Sequence, residues 1–184
     1  MGRLTQRVNN RVRIIGGAYR GRLLYFPDLP GLRPTPDRVR ETLFNWLGQR
    51  LDELVCLDVF AGSGALGFEA ASRGAARVVM LEQERRAHEA LLKNARTLAA
   101  SGIEVLRRDA RSYLARPGEA YDLIFLDPPF ASDLLQSTLS LAATRLAPDG
   151  RIYAESPAPL APPGMIVLRQ GRAGQSHFCL LEIA

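Results

Sequence analysis

The chain has little of what several function classes require. Two cysteines, two histidines, one tryptophan and a single lysine, Lys93, stand among 184 residues. Cys56 and Cys179 sit inside apolar, strand-like runs. They read as small core hydrophobes in a reducing compartment, not as a disulfide or a metal pair. His88 and His177 are isolated, so neither a metal cluster nor a catalytic triad has the spacing it needs. No apolar run approaches the roughly 18 residues of a membrane span. The first residues lack the apolar core of a secretory signal, and a cytoplasmic location is expected. No spare apolar stripe is evident, and a monomer is expected.

What is present points to a folded protein with an acidic partner. Hydrophobic residues make up 47% of the chain, enough for one domain with a substantial core. The net charge is +5, and its placement is uneven: Arg3, Arg7, Arg11, Arg13, Arg20 and Arg22 all precede the first acid, Asp28. Arginine offers forked donors to phosphate and a plane for stacking, which suits RNA. A GC-rich coding sequence explains the excess of arginine over lysine, but not the crowding of basic residues ahead of any acid.

The pattern along the chain predicts an α/β fold. Residues 11–26 read as a β-hairpin turning near Gly16-Gly17. A proline-rich loop follows. Thr35 is placed to cap a helix over 37–49, with Pro36 in its first turn. Strands are then expected at 54–60, 77–82, 103–109, 121–127 and 150–156, with helices at 65–73, 84–100 and 132–146. This alternation predicts a Rossmann-like, doubly wound parallel sheet. Runs at 165–170 and 176–183 are too close for a crossover helix. They form a hairpin that puts an antiparallel strand into a seven-stranded sheet. The division expected is a basic hairpin-and-helix appendage over 1–50 and a main domain over 51–184.

Chemistry concentrates where strands end. The run Asp127-Pro128-Pro129-Phe130 stops a buried strand, because two prolines cannot continue a ladder. It presents a carboxylate, carbonyls without neighbouring donors and a ring at the edge where open α/β sheets bind ligands. The Asp127 carboxylate and the Pro128 carbonyl suit a planar exocyclic amine, whose N–H bonds they grip, and Phe130 suits stacking on its base. A Pro-Pro turn with Phe130 in the core is the plain alternative.

The first strand leads into Asp58-Val59-Phe60-Ala61-Gly62-Ser63-Gly64-Ala65-Leu66-Gly67. Its glycines spell GxGxxG between strand and helix, a ligand turn of unspecified ligand. Asp58 discriminates: a carboxylate there sits poorly beside a pyrophosphate and well beside a cationic group, such as the amino group of S-adenosylmethionine. Glu82 stands where an acid grips ribose hydroxyls. Asp109 is placed to accept from an adenine amine with Ala110 beside the ring, or simply to cap the next helix. Four successive strands thus end in acids at one edge, the pattern of a Rossmann-like S-adenosylmethionine-dependent methyltransferase.

Further stretches carry a closer resemblance. Arg13-Ile14-Ile15-Gly16-Gly17, Arg20-Gly21-Arg22, Arg33-Pro34-Thr35 and the run from Asp37 through Arg38, Val39, Arg40 and Glu41 to Trp46 join the Asp58 turn and Asp127–Phe130. Together they resemble the bacterial 16S rRNA guanine-N2 methyltransferase D family, from about Arg13 to the C-terminus. The resemblance implies methyl transfer from S-adenosylmethionine to the N2 amine of guanine 966 in an assembled or nearly assembled small ribosomal subunit. It implies cofactor contacts at Asp58, Phe60, Ala61, Gly62, Gly64, Glu82, Asp109 and Ala110, with Thr35 and Arg38 closing over the methionine end. Asp127, Pro128, Pro129 and Phe130 become the target-base site. Arg11, Arg13, Arg20, Arg22, Arg33 and Arg40 become RNA contacts; an exposed helix face with charge pairs is the plain alternative for Arg38, Arg40 and Glu41.

Three rivals share parts of this pattern. A nicotinamide oxidoreductase shares the glycine turn and Glu82 but needs neither Asp58 nor Asp127. A DNA amino-methyltransferase shares the chemistry but usually needs more chain. A non-catalytic rRNA-binding assembly protein explains the arginines and leaves the acids without purpose.

Overall fold

Residues 10–129 and 132–184 are described in this computed structural model of the chain. Two short strands, β1 (Asn10–Arg13) and β2 (Leu23–Phe26), pair antiparallel. Helix α1 (Asp37–Trp46) follows. Alternation then runs through β3 (Val55–Asp58), α2 (Ala65–Ser72), β4 (Arg77–Leu81), α3 (Arg85–Leu98) and β5 (Ile103–Leu106). It continues with α4 (Ala110–Leu114), β6 (Tyr121–Leu126), α5 (Leu134–Ala143) and β7 (Leu146–Ser156). Strands β8 (Met165–Ala173) and β9 (Ser176–Ile183) close the chain.

The seven-stranded sheet has the order β5-β4-β3-β6-β7-β9-β8. The strands from β5 to β7 are parallel, and β9 lies antiparallel between β7 and β8. This is the expected Rossmann-like sheet with its antiparallel C-terminal hairpin. The order reverses between β3 and β6, so the crevice of the fold opens where Asp58 and Asp127 leave the sheet.

Strand parity sorts the core into two layers. Cys56, Val78, Met80, Leu123, Phe125 and Tyr153 face α1, α2 and α3. Leu57, Val79, Leu81, Ile124, Ile152 and Ala154 face α4 and α5. Both cysteines are buried and unpaired, and burial pushes the Cys56 thiol up to about 12.

The boundaries differ from expectation where local chemistry intervenes. Thr35 does not cap α1; Pro36 holds that position, and the Thr35 hydroxyl bonds elsewhere. Strand β5 stops at Leu106 rather than Asp109. Helix α4, whose bounds no period of five residues could give, follows Asp109, which caps it. Among the described residues, no helix is long and apolar enough to cross a membrane.

A buried charge cluster fastens the N-terminal hairpin and α1 to α2. Glu69 on α2 is fully buried. Its Oε1 accepts from Gly16 N at 2.8 Å and Arg73 Nε at 2.9 Å, and its Oε2 from Ile15 N at 3.0 Å and Arg40 Nη1 at 3.1 Å. Four donors occupy the lone-pair sites of one carboxylate. Gly17 packs so closely that an added Cβ would lie 1.8 Å from the Ser72 carbonyl oxygen.

Candidate active site

The site grows from the end of β3. Asp58 belongs to the same strand face as Cys56, which turns its carboxylate toward α2. There Oδ2 accepts from Gly67 N at 3.0 Å, and the side chain is 2% exposed. Burial pushes its carboxyl up to about 7; the Gly67 hydrogen bond opposes this, the Glu82 charge adds to it, and a Phe60 backbone hydrogen bond opposes it. Among the described residues, Asp58 forms no ion pair.

The glycine turn is built to let the backbone come close. Gly64 caps α2 with φ of 83°, a conformation suited to glycine, and an added Cβ would meet the Phe68 ring at 2.5 Å. At Gly67 the added Cβ would meet Met80 Cε at 2.8 Å and Asp58 Oδ2 at 3.0 Å. An added Cβ at Gly62 would lie 3.6 Å from Leu32 Cδ1 and 3.8 Å from the Phe60 carbonyl oxygen, so the proline-rich loop borders this turn.

Glu82 follows β4 directly. Its Oε2 accepts from Gly62 N at 3.0 Å and its Oε1 from Glu84 N at 2.8 Å. The acid therefore anchors the glycine turn from the neighbouring strand. Phe60 is partly exposed and Ala61 buried beside it. Asp109 caps α4, accepting from Ser112 N at 2.8 Å, and this bond holds its carboxyl below the usual range. It is partly exposed, and Ala110 behind it is buried.

Asp127 follows β6 on the strand face of Phe125. Its Oδ2 accepts from the Thr35 hydroxyl at 3.2 Å. Burial, followed by the negative charge of Glu155, raises its carboxyl well above the usual range; the Thr35 bond works against this, and Asp58 adds to it. Pro128 is buried and Pro129 exposed, with the Pro129 carbonyl accepting from Ser132 N at 3.1 Å. Phe130 lies outside the described residues, as do Arg3 and Arg7.

The expected basic residues separate into two groups. Arg11, Arg13, Arg20, Arg22, Arg33 and Arg38 are exposed. Arg40 is not: it is 1% exposed and points into the Glu69 cluster. Its Nε donates to the Thr35 carbonyl at 3.0 Å and Nη1 to the Arg13 carbonyl at 3.0 Å. This corrects its reading as an RNA contact or a helix-surface charge, because its donors are turned inward. It braces the backbone of the residue that bonds Asp127.

One acid at this edge escaped the sequence reading. Glu155, near the end of β7, is 5% exposed and accepts from the Tyr153 hydroxyl at 2.7 Å and the Ser176 hydroxyl at 3.1 Å. The strand-end rule that selected Asp58, Glu82 and Asp127 selects it too when applied to the fifth parallel strand.

A Rossmann-like sheet with a glycine turn after its first parallel strand and acids along its carboxyl edge defines the class: a methyltransferase. Residues 12–182 match the family model described as Conserved hypothetical protein 95. Ribosomal RNA small subunit methyltransferase D of Escherichia coli K12 is 45% identical over 180 residues, covering 95% of this chain and 91% of the relative. The relative of the same name from Haemophilus influenzae is 44% identical over 158 residues, covering 83% and 82%. The solved structure of yhhF from Escherichia coli superposes with a TM-score of 0.85 at 45% identity, over 95% of this chain and 98% of that one. The chain belongs to the ribosomal RNA small subunit methyltransferase D family, and its class of reaction is methylation of ribosomal RNA.

Proposed function

We propose that this protein transfers the methyl group of S-adenosylmethionine to the exocyclic N2 amine of a guanine in 16S rRNA, at the position numbered 966 in the family. Its substrate is the assembled or nearly assembled small subunit, and it works as a cytoplasmic monomer. The observation that carries the reading is Asp127: a carboxylate at the sheet's switch point, held by Thr35 at 3.2 Å, on the strand that neighbours the one ending in Asp58.

The residues fit the cofactor. Asp58 is a buried carboxylate that forms no ion pair among the described residues, and at Gly62 an added Cβ would meet only ordinary contacts among them, Leu32 Cδ1 at 3.6 Å and the Phe60 carbonyl oxygen at 3.8 Å. Asp58 would hold the amino group, Glu82 the ribose hydroxyls, and Asp109 with Ala110 the adenine. Phe60, Ala61, Gly62 and Gly64 would line the approach, with Thr35 and Arg38 near the methionine end. What S-adenosylmethionine supplies when bound is an electrophilic methyl carbon on a sulfonium.

The remaining work belongs to this chain. The amine lone pair is delocalised into the guanine ring, so orientation is the main task. Asp127 and the Pro128 carbonyl each accept an N–H, which turns the lone pair toward the methyl group and enriches the nitrogen. The base must leave any helix to reach this edge, and Phe130 would stack on it. Arg11, Arg13, Arg20, Arg22 and Arg33 would hold phosphates around it. Labelled methyl transfer to small subunits, naked 16S rRNA and DNA tests the reading. Label recovered as N2-methylguanine supports it; label on DNA alone contradicts it.

A further inference from the structure

The position of Glu155 relative to Asp127 follows from strand register. Leu126 of β6 pairs with Ala154 of β7 in a parallel ladder. The next position on each strand is Asp127 and Glu155. Matched positions on neighbouring parallel strands share a face, with backbones about 4.8 Å apart. The residues two before them, Phe125 and Tyr153, confirm the parity: their rings meet at 6.3 Å in an edge arrangement.

Among the described residues, neither carboxylate forms an ion pair. The groups facing Asp127 are Thr35 ahead of α1, Asp58 at the end of β3, and Glu155 and Tyr153 on β7. Those facing Glu155 are Tyr153, Ser176 on β9, Thr35 and Asp127. Glu82 on β4 acts on Asp58, and Cys179 on β9 acts on Tyr153. Among the described residues, the side-chain donors to the two acids are hydroxyls: Thr35 to Asp127, and Tyr153 and Ser176 to Glu155. The Thr35 hydroxyl fixes Oδ2 of Asp127.

We propose that Glu155 is a positioning residue for methyl transfer that acts through Asp127. With Glu155 at the matched register position and Thr35 bonded to Asp127, the three work as one unit: Glu155 and Thr35 set which Asp127 oxygen meets the amine and how readily it takes the amine's proton. The inference rests on the reading that Asp127 grips the target amine. As the nitrogen–methyl bond forms and the methyl–sulfur bond breaks, the nitrogen gains positive charge. One N–H proton then passes to the Asp127 oxygen that Thr35 does not hold, and Asp127 becomes a neutral carboxyl. The neighbouring negative charge of Glu155 makes that oxygen a better acceptor, and a better base speeds a proton transfer.

The test is Glu155→Gln, which keeps the size and an acceptor oxygen but removes the charge, beside Glu155→Asp, which keeps the charge. Two readouts are needed. Carbon-13 carboxyl shifts of the free protein follow the Asp127 titration directly. Steady-state methylation of small subunits gives kcat, KM and their pH profiles. In Glu155→Gln the Asp127 midpoint should fall by about one pH unit, and the acid limb of kcat should move down with it. At neutral pH kcat should drop about threefold, as a one-unit loss of basicity gives, with KM for the subunit held within about twofold. Glu155→Asp should lie closer to wild type in both.

An unmoved Asp127 midpoint in Glu155→Gln overturns the coupling. A moved midpoint with unchanged kcat and acid limb overturns the role in transfer. Should Glu155→Gln not fold, Thr35→Val reads the same connection: its lost hydroxyl should raise the Asp127 midpoint, and an unmoved midpoint overturns the proposal. Wild-type protein that binds cofactor yet methylates no subunit refutes the parent reading, and the inference with it. The wild-type arm thus separates that failure from a failure of Glu155 alone.

Discussion

Arg40 and Glu69 meet as a fully buried ion pair, Nη1 to Oε2 at 3.1 Å, with side chains 1% and 0% exposed. They are 29 residues apart in the chain, and their contact joins α1 to α2. Because Arg40 also donates to the carbonyls of Thr35 and Arg13, the pair ties the arginine-rich hairpin to the segment that bonds Asp127.

Breaking that pair from one side takes from two buried arginines the carboxylate they share. Glu69→Ala should destabilise the fold by about 3 kcal/mol, since it also leaves the Ile15 and Gly16 N–H donors without their acceptor, while Arg40 keeps Asp37 and Arg73 keeps Gln49. Urea denaturation reads this directly. A loss below about 1 kcal/mol would contradict the role of the cluster.

The buried ions also show what a sequence conceals. The strands were legible because a parallel sheet covered on both faces writes each strand as a short continuous apolar run, set between helical stretches. The glycine turn and the acids Asp58, Glu82 and Asp127 were legible because each falls where a predicted strand stops. Arg40 was not: its partner lies on another helix, and a long-range pair leaves no local signal. Thr35 looked like a cap because threonine before Pro-Asp commonly is one, yet its hydroxyl serves Asp127. Glu155 was overlooked because the strand-end rule stopped at the fourth strand.

Asp58 should cost stability when no cofactor is bound. Its carboxyl sits at about 7 in the folded chain, against about 3.9 when unfolded. The folded state thus holds the proton more tightly. The stability from this group is complete below pH 4 and is lost as pH rises through 7. In Asp58→Asn the loss disappears. At pH 8 the cofactor-free variant should be more stable than wild type by about 2–4 kcal/mol, with little difference at pH 4. Thermal unfolding across pH checks this. Cofactor affinity, measured by calorimetry, should fall in the same variant.

Gly67 leaves no room for a methyl group between α2 and the end of β3. In Gly67→Ala the new carbon would press on Met80 and on the Asp58 carboxylate. Destabilisation of about 1–3 kcal/mol and weaker cofactor binding should appear together. Intact cofactor affinity in this variant would detach Asp58 from the cofactor role.

The exposed arginines should act on RNA alone. Neutralising Arg13 and Arg20 should lower affinity for the small subunit and reduce the salt slope of binding by about one per lost phosphate contact. Cofactor affinity should stay at the wild-type value. Trimming residues 1–12 should act in the same direction. Methylation kinetics unchanged at every salt concentration would refute this assignment.

The most direct measurement of the central claim is single-turnover methyl transfer to small subunits lacking the modification, by wild type and by Asp127→Ala, with cofactor affinity measured on both proteins. The account predicts N2-methylguanine with wild type. It predicts a rate lower by about a hundredfold or more in Asp127→Ala, with cofactor affinity within about threefold. Transfer by Asp127→Ala at the wild-type rate, or cofactor binding lost together with turnover, would contradict it.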